Sequence, residues 1–127
     1  MPDAILDASA VLAFFHREPG AETVRSILED SAISTVNLSE VIAKLVESGT
    51  DGDTAVLLTQ AQPFHPVDHT LEQAQVAGTL RAATWQAGFS LGDRACLALA
   101  LALDLPVYTA DRAWRNLSLD VDVRLIR

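Results

Sequence analysis

The first apolar run of the chain, Ala4-Ile5-Leu6, ends in a carboxylate, Asp7, and gives way to the alanine-rich stretch Ala8 to Phe15. A short buried strand followed by a helix fits that change, and it leaves Asp7 at the strand's carboxyl end. His16-Arg17-Glu18-Pro19-Gly20 is a polar break. Pro19 suits the first turn of a second helix running to about Asp30, with Val24, Ile27 and Leu28 as its apolar stripe. Ser31 to Thr35 reads as a second strand. Leu38, Val41, Ile42, Leu45 and Val46 then recur at helical spacing until Gly49, and Asp51-Gly52-Asp53 starts another helix through Ala61.

Phe64-His65-Pro66-Val67 is a short third strand, placed at the sheet edge because Pro63 and Pro66 would interrupt a central ladder. Asp68 or Thr70 caps a long helix predicted through about Ala87, with Leu71, Ala74, Ala77, Leu80 and Ala83 on its inner face and Gly88 at its end. Ser90 to Leu103 is apolar almost all round, the pattern of a helix buried on most sides. Val107 to Thr109 is a fourth strand, Ala113 to Asn116 a turn of helix, and Val121 to Ile126 a last strand. Strands alternating with helices predict an α/β fold with a mostly parallel sheet covered on both faces.

Composition changes little in this picture. At 127 residues the chain is expected to form a single domain, 1–127, with one core and no linker. Half the residues are hydrophobic and 20% charged, a globular balance that excludes a disordered chain. No apolar run has the length and flanks of a membrane span or signal peptide, so a cytoplasmic protein is expected. The single cysteine, Cys96, lies inside an apolar run and reads as a small core residue. A net charge of −8 argues against nonspecific nucleic-acid binding, which rests on Lys and Arg neutralising phosphates. Carboxylates that hold cations change that argument, since two bound Mg2+ ions would bring the charge to −4.

Four acids occupy equivalent places in this layout. Asp7 and Asp111 directly follow strands, Glu40 sits early in the helix after the second strand, and Asp93 opens the buried helix. In a parallel α/β sheet all four are expected at one edge, where ligands bind. Carboxylates brought together repel and raise one another's pKa, so such a cluster calls for shared protons or a cation. Oxygen ligands without an accompanying Cys or His pattern favour Mg2+ or Mn2+ over zinc. Each acid taken alone has a simpler reading. Glu40 can pair with Lys44 one turn on, Asp93 can complete a capping box with Ser90, and Asp111 can cap a turn ahead of Arg112. Asp7 is harder to dismiss, because a charge at the end of a central strand is costly unless something pairs with it. The histidines lack metal-ligand spacing, and packing explains Trp85 and Trp114 better than base stacking does.

Leu6-Asp7-Ala8-Ser9-Ala10-Val11, Asn37-Leu38-Ser39-Glu40, Leu91-Gly92-Asp93-Arg94-Ala95-Cys96-Leu97-Ala98 and Tyr108-Thr109-Ala110-Asp111-Arg112 resemble the four acidic motifs of PIN-domain ribonucleases. The resemblance spans essentially the whole chain and is strongest to the VapC toxins of bacterial toxin-antitoxin pairs. It implies a three-layer fold with strand order 3-2-1-4-5 and Mg2+- or Mn2+-dependent cleavage of RNA. It also implies Asp7, Glu40, Asp93 and Asp111 as catalytic metal ligands, with Asp7 and Asp93 the principal pair, and Ser9 and Thr109 as supporting hydroxyls. Arg94 and Arg112 each follow a proposed ligand and are candidates to reach RNA phosphates at the rim. An inhibiting antitoxin and a homodimer are the implied partners, with the amphipathic helices Ala21 to Asp30, Leu38 to Val46 and Thr54 to Ala61 as candidate antitoxin groove.

Two rivals remain at this stage. A phosphatase of haloacid-dehalogenase type also places an aspartate after its first strand, but typically carries a second one two positions later, where this chain has Ser9. A protein-binding module with little activity of its own is the other.

Overall fold

The computed structural model describes residues 1–127. Its strands are β1 (Ala4–Leu6), β2 (Ser31–Ser34), β3 (His65–Val67), β4 (Val107–Thr109) and β5 (Val123–Leu125). They form one sheet in the order β3-β2-β1-β4-β5, and every pairing is parallel. The helices are α1 (Ala8–Phe15), α2 (Ala21–Ile27), α3 (Thr35–Glu47), α4 (Gly52–Gln60), α5 (Leu71–Thr79), α6 (Arg81–Thr84) and α7 (Leu91–Leu103). The Pro-containing β3 is an edge strand, as its missing N–H requires.

Successive strand residues face opposite sides, and β1 supplies both cores in this way. Leu6 packs with Val11, Val24, Ile33 and Val41 on the face covered by α1 to α4. Its neighbour Ile5 packs with Ala32, Leu97, Leu99, Val107 and Trp114 on the face covered by α7. Ile5 and Leu6 are fully buried, each worth roughly 1.5–3 kcal/mol relative to exposure. With Ile5 held between Ala32 and Val107 in register, Asp7 comes at the carboxyl edge of the innermost strand.

Several elements differ from expectation. The long helix predicted through Ala87 is interrupted at Leu80, between α5 and α6. Gly78 and Thr79 are weak helix formers, and the Thr79 hydroxyl donates back to the Val76 carbonyl at 2.8 Å. Its inner face also differs. Ala77 and Leu80 are buried, but the other two buried positions of α5 and α6 are Gln73 and Thr84, whereas Leu71, Ala74 and Ala83 are exposed. The alanines mark no strong apolar phase, and the close approach of α5 to α7 decides the rotation instead. The last strand is confined to Val123–Leu125. Trp114 lies fully inside, its ring 5.1 Å from Phe89, whereas Trp85 is exposed beneath the Arg81 guanidinium. No helix is long and apolar enough to cross a membrane.

Candidate active site

Asp7, Glu40, Asp93 and Asp111 line one cavity of about 190 Å3, together with Ser9 and Lys44. Four segments deliver them. Asp7 directly follows β1 and precedes α1, Glu40 lies on α3, Asp93 occupies the first turn of α7, and Asp111 lies two residues past the end of β4.

Asp7 is the buried member. Ser9 Oγ donates to its Oδ2 at 2.6 Å and Thr109 Oγ1 donates to the same oxygen at 2.9 Å. Both hydroxyls are themselves fixed, because Ser9 Oγ accepts the Ala110 N–H and Thr109 Oγ1 accepts the Asp111 N–H. The strand end of β4 thus holds the carboxylate of β1 through two hydroxyls. Burial pushes the Asp7 pKa up to about 6; the two hydroxyl bonds oppose the rise, and Asp93 and Glu40 add to it.

The other three acids are held by one oxygen each. Asn37 Nδ2 donates to Glu40 Oε1 at 2.7 Å and to the Gly92 carbonyl at 2.9 Å, so one fully buried amide ties α3 to the start of α7. Asp93 Oδ2 accepts the Ser90 N–H at 2.8 Å while Ser90 Oγ accepts the Asp93 N–H, a complete capping box. Asp111 Oδ1 accepts the Ala113 N–H at 2.9 Å. The capping roles foreseen for Asp93 and Asp111 are therefore real, and they coexist with facing the cavity. Lys44 pairs with Glu47 at 3.2 Å and not with Glu40.

Arg94 is held apart from the cavity. Its guanidinium donates to the Ala77 carbonyl at 3.0 Å, which anchors α7 on α5 and turns the side chain away from the carboxylates. One residue is 100° of helix, so the neighbour of a cavity-facing Asp93 points elsewhere. Arg112 is exposed beside Asp111. Asn37 and Gly92 were not singled out from sequence as functional. A Cβ at Gly92 would collide with the Glu40 carboxylate, so the glycine makes room for that acid.

The donor set suits a hard divalent cation. It consists of oxygens only, and each carboxylate has one oxygen secured by the protein and a second that takes none of these bonds. No three of the acids are close enough as they stand to coordinate a single ion. The four acids nevertheless line one cavity, and the charges of Asp93 and Glu40 add to the rise that burial imposes on the Asp7 pKa.

The family model of the PIN domain matches residues 4–119. The chain belongs to the PIN domain family. Among curated proteins none matches the sequence. Solved structures with the same fold include DNA-bound VapBC from Salmonella typhimurium, at 16% identity, TM-score 0.75 and full coverage of both chains. The sarcin-ricin-loop-cleaving toxin VapC20 of Mycobacterium tuberculosis superposes at TM-score 0.75 with 14% identity, over 94% of this chain and 98% of that one. A toxin-antitoxin complex from Klebsiella pneumoniae gives TM-score 0.73 at 18% identity, over 98% of each chain. At these identities the likeness is one of fold, and this PIN domain has the sheet order that the resemblance implied, with every strand pairing parallel where a mostly parallel sheet was expected.

Proposed function

We propose that this PIN domain is a Mg2+- or Mn2+-dependent endoribonuclease and the toxin half of a toxin-antitoxin pair, acting in the cytoplasm. The observation that carries the reading is the convergence of Asp7, Glu40, Asp93 and Asp111 on one cavity from four separate segments. Membership of the PIN family and a fold shared with VapC toxins support it.

Asp7 and Asp93 are the principal ligands in this reading, with Glu40 and Asp111 completing the set. A bound divalent ion supplies a nucleophilic water and relieves charge on the phosphate oxygens. The protein's own part is to hold the acids ready. Ser9 and Thr109 fix Oδ2 of Asp7, and Asn37 fixes Oε1 of Glu40, so each carboxylate presents its other oxygen without searching. Lys44 lines the same cavity, a cation placed to meet a phosphate, and the exposed Arg112 that follows Asp111 is the second candidate.

An antitoxin partner is supported by exposed apolar side chains. Val56, Leu57 and Leu58 on α4 and Val46 on α3 are 39–64% exposed, an unpartnered surface beside the helices that flank the site. Homodimerisation is a further element of this reading. The test is digestion of RNA by the purified chain in Mn2+ and in EDTA, with end-mapping of products. Cleavage confined to Mn2+ is expected. Hydrolysis of a chromogenic phosphate ester without RNA cleavage would favour the aspartate-nucleophile phosphatase, and no activity towards either would leave a binding module.

A further inference from the structure

Four large apolar side chains of α5 and α7 stand out of the domain: Leu71, Val76, Leu101 and Leu103 are 38–70% exposed. Between the two helices runs a groove of about 190 Å3, walled by Val76 from α5 and by Ala98, Leu101 and Ala102 from α7, with Glu72 and Gln73 as its polar members. Small-molecule sites run to about 300–1,000 Å3, so this groove suits one aliphatic side chain better than a cofactor. Apolar surface of this kind, rimmed by polar residues, marks an interaction site.

Charge narrows the occupant. Arg94 near the start of α7 bonds the Ala77 carbonyl near the end of α5, so the helices run antiparallel and Asp104, at the end of α7, comes to the same end of the groove as Glu72. Arg94 is spent on that carbonyl, and neither helix carries another cation. Nucleic acid or an anionic membrane surface would meet Glu72 and Asp104 with charge of the same sign. So would a second copy of this chain, which has a net charge of −8 and the same two acids. A cationic segment meets the opposite sign. Gln73 is buried with Oε1 unpartnered, but Nε of Arg94, which reaches Ala77 one turn along α5, is unpartnered too, so this amide does not decide between occupants.

We propose that the groove between α5 and α7 docks a basic amphipathic segment of another protein. One aliphatic side chain of that segment sits on Val76, Ala98, Leu101 and Ala102, and a Lys or Arg of the same segment lies beside Glu72 and Asp104. This surface is separate from that of Val46, Val56, Leu57 and Leu58, because α3 and α4 cover the face of the sheet opposite α7. Docking here requires nothing of the nuclease reading.

The probes are two capped peptides of equal length with leucine at helical spacing, one with lysine and the other with glutamate at the positions between. Amide chemical shifts of the chain are followed as each is added, at low and at high salt. The lysine peptide should move the amides of Gln73, Val76, Ala98, Leu101 and Ala102 and bind more weakly at high salt, and the glutamate peptide should leave them unmoved. Leu101→Ser and Glu72→Lys should each weaken binding about fivefold or more, and Leu57→Ser on α4 should leave it unchanged. Glu72 lies on the exposed rim, so Glu72→Lys keeps the test open should Leu101→Ser fail to fold. Equal binding of the two peptides, or lysine-peptide shifts confined to α3 and α4, would overturn the proposal. A wild-type dimer in sedimentation that Leu101→Ser dissolves would give the groove to a second copy, and co-sedimentation with phosphatidylglycerol vesicles lost in the same variant would give it to a membrane; either would overturn it as well. RNA cleavage is not a readout, so failure here is distinct from failure of the nuclease reading.

Discussion

The Glu40 carboxylate lies against the bare Cα of Gly92, in space that any side chain at position 92 would occupy. Asn37 bonds to both residues, so the acid, the glycine and the amide form one joint between α3 and α7. Replacing Gly92 by alanine pushes the flexible Glu40 side chain aside while leaving the helix itself as good or better, since alanine favours helix by about 1 kcal/mol over glycine. Gly92→Ala should therefore melt within a few degrees of wild type and lose at least about tenfold in Mn2+-dependent cleavage, a change of about 1.4 kcal/mol in the barrier. Full activity would show that Glu40 need not stay where it is.

Asn37→Ala should fail differently. It removes two hydrogen bonds in a fully buried place and leaves the Gly92 carbonyl without its side-chain donor, a loss of about 2 kcal/mol. Stability and activity should fall together, and denaturant unfolding beside the cleavage assay separates this from the Gly92 variant.

The raised pKa of Asp7 has a consequence for the metal-free protein. The folded state holds a proton on Asp7 up to about pH 6, whereas the unfolded chain releases it near 3.8. Stability in EDTA should therefore be highest, as far as this group is concerned, below about pH 4. It should decline as pH rises to about 6, by roughly 3 kcal/mol in all. Asp7→Asn abolishes that decline. Thermal melts of both proteins in EDTA from pH 4 to 8 check it, with the variant melting higher than wild type at pH 7.5 and the difference shrinking towards pH 4.

Much of the fold was legible because two adjacent residues, Ile5 and Leu6, are apolar where a strand buried on both faces demands it. The four acids were legible as well, since each follows a strand or opens a helix and so falls at the same sheet edge. Asn37 and Gly92 were not. An asparagine carries no sign of a partner 55 residues away, and a glycine near a helix start has many ordinary uses. The bond from Arg94 to the Ala77 carbonyl was hidden for a related reason, because sequence adjacency to Asp93 says nothing about which neighbouring helix receives the next side chain. The phase of α5 was hidden by its alanines, and contact with α7 settled it.

Cys96 lies close enough to the site for its thiol to register it. Burial pushes the thiol pKa well above its ordinary value, and the charges of Asp7, Asp93 and Glu40 push it further. A thiol reagent at pH 8 should leave the folded protein unlabelled and react only on unfolding. Labelling at the rate of a free thiol in native conditions would contradict this burial.

The central claim is that these four carboxylates together grip a divalent ion. Mn2+ titrated into the protein and followed by electron paramagnetic resonance reads this directly, because bound Mn2+ loses the sharp signal of the free ion. Wild type should deplete that signal at neutral pH, and Asp7→Asn and Asp93→Asn should leave it largely intact. Equal depletion by all three proteins, or none by wild type, would contradict the account.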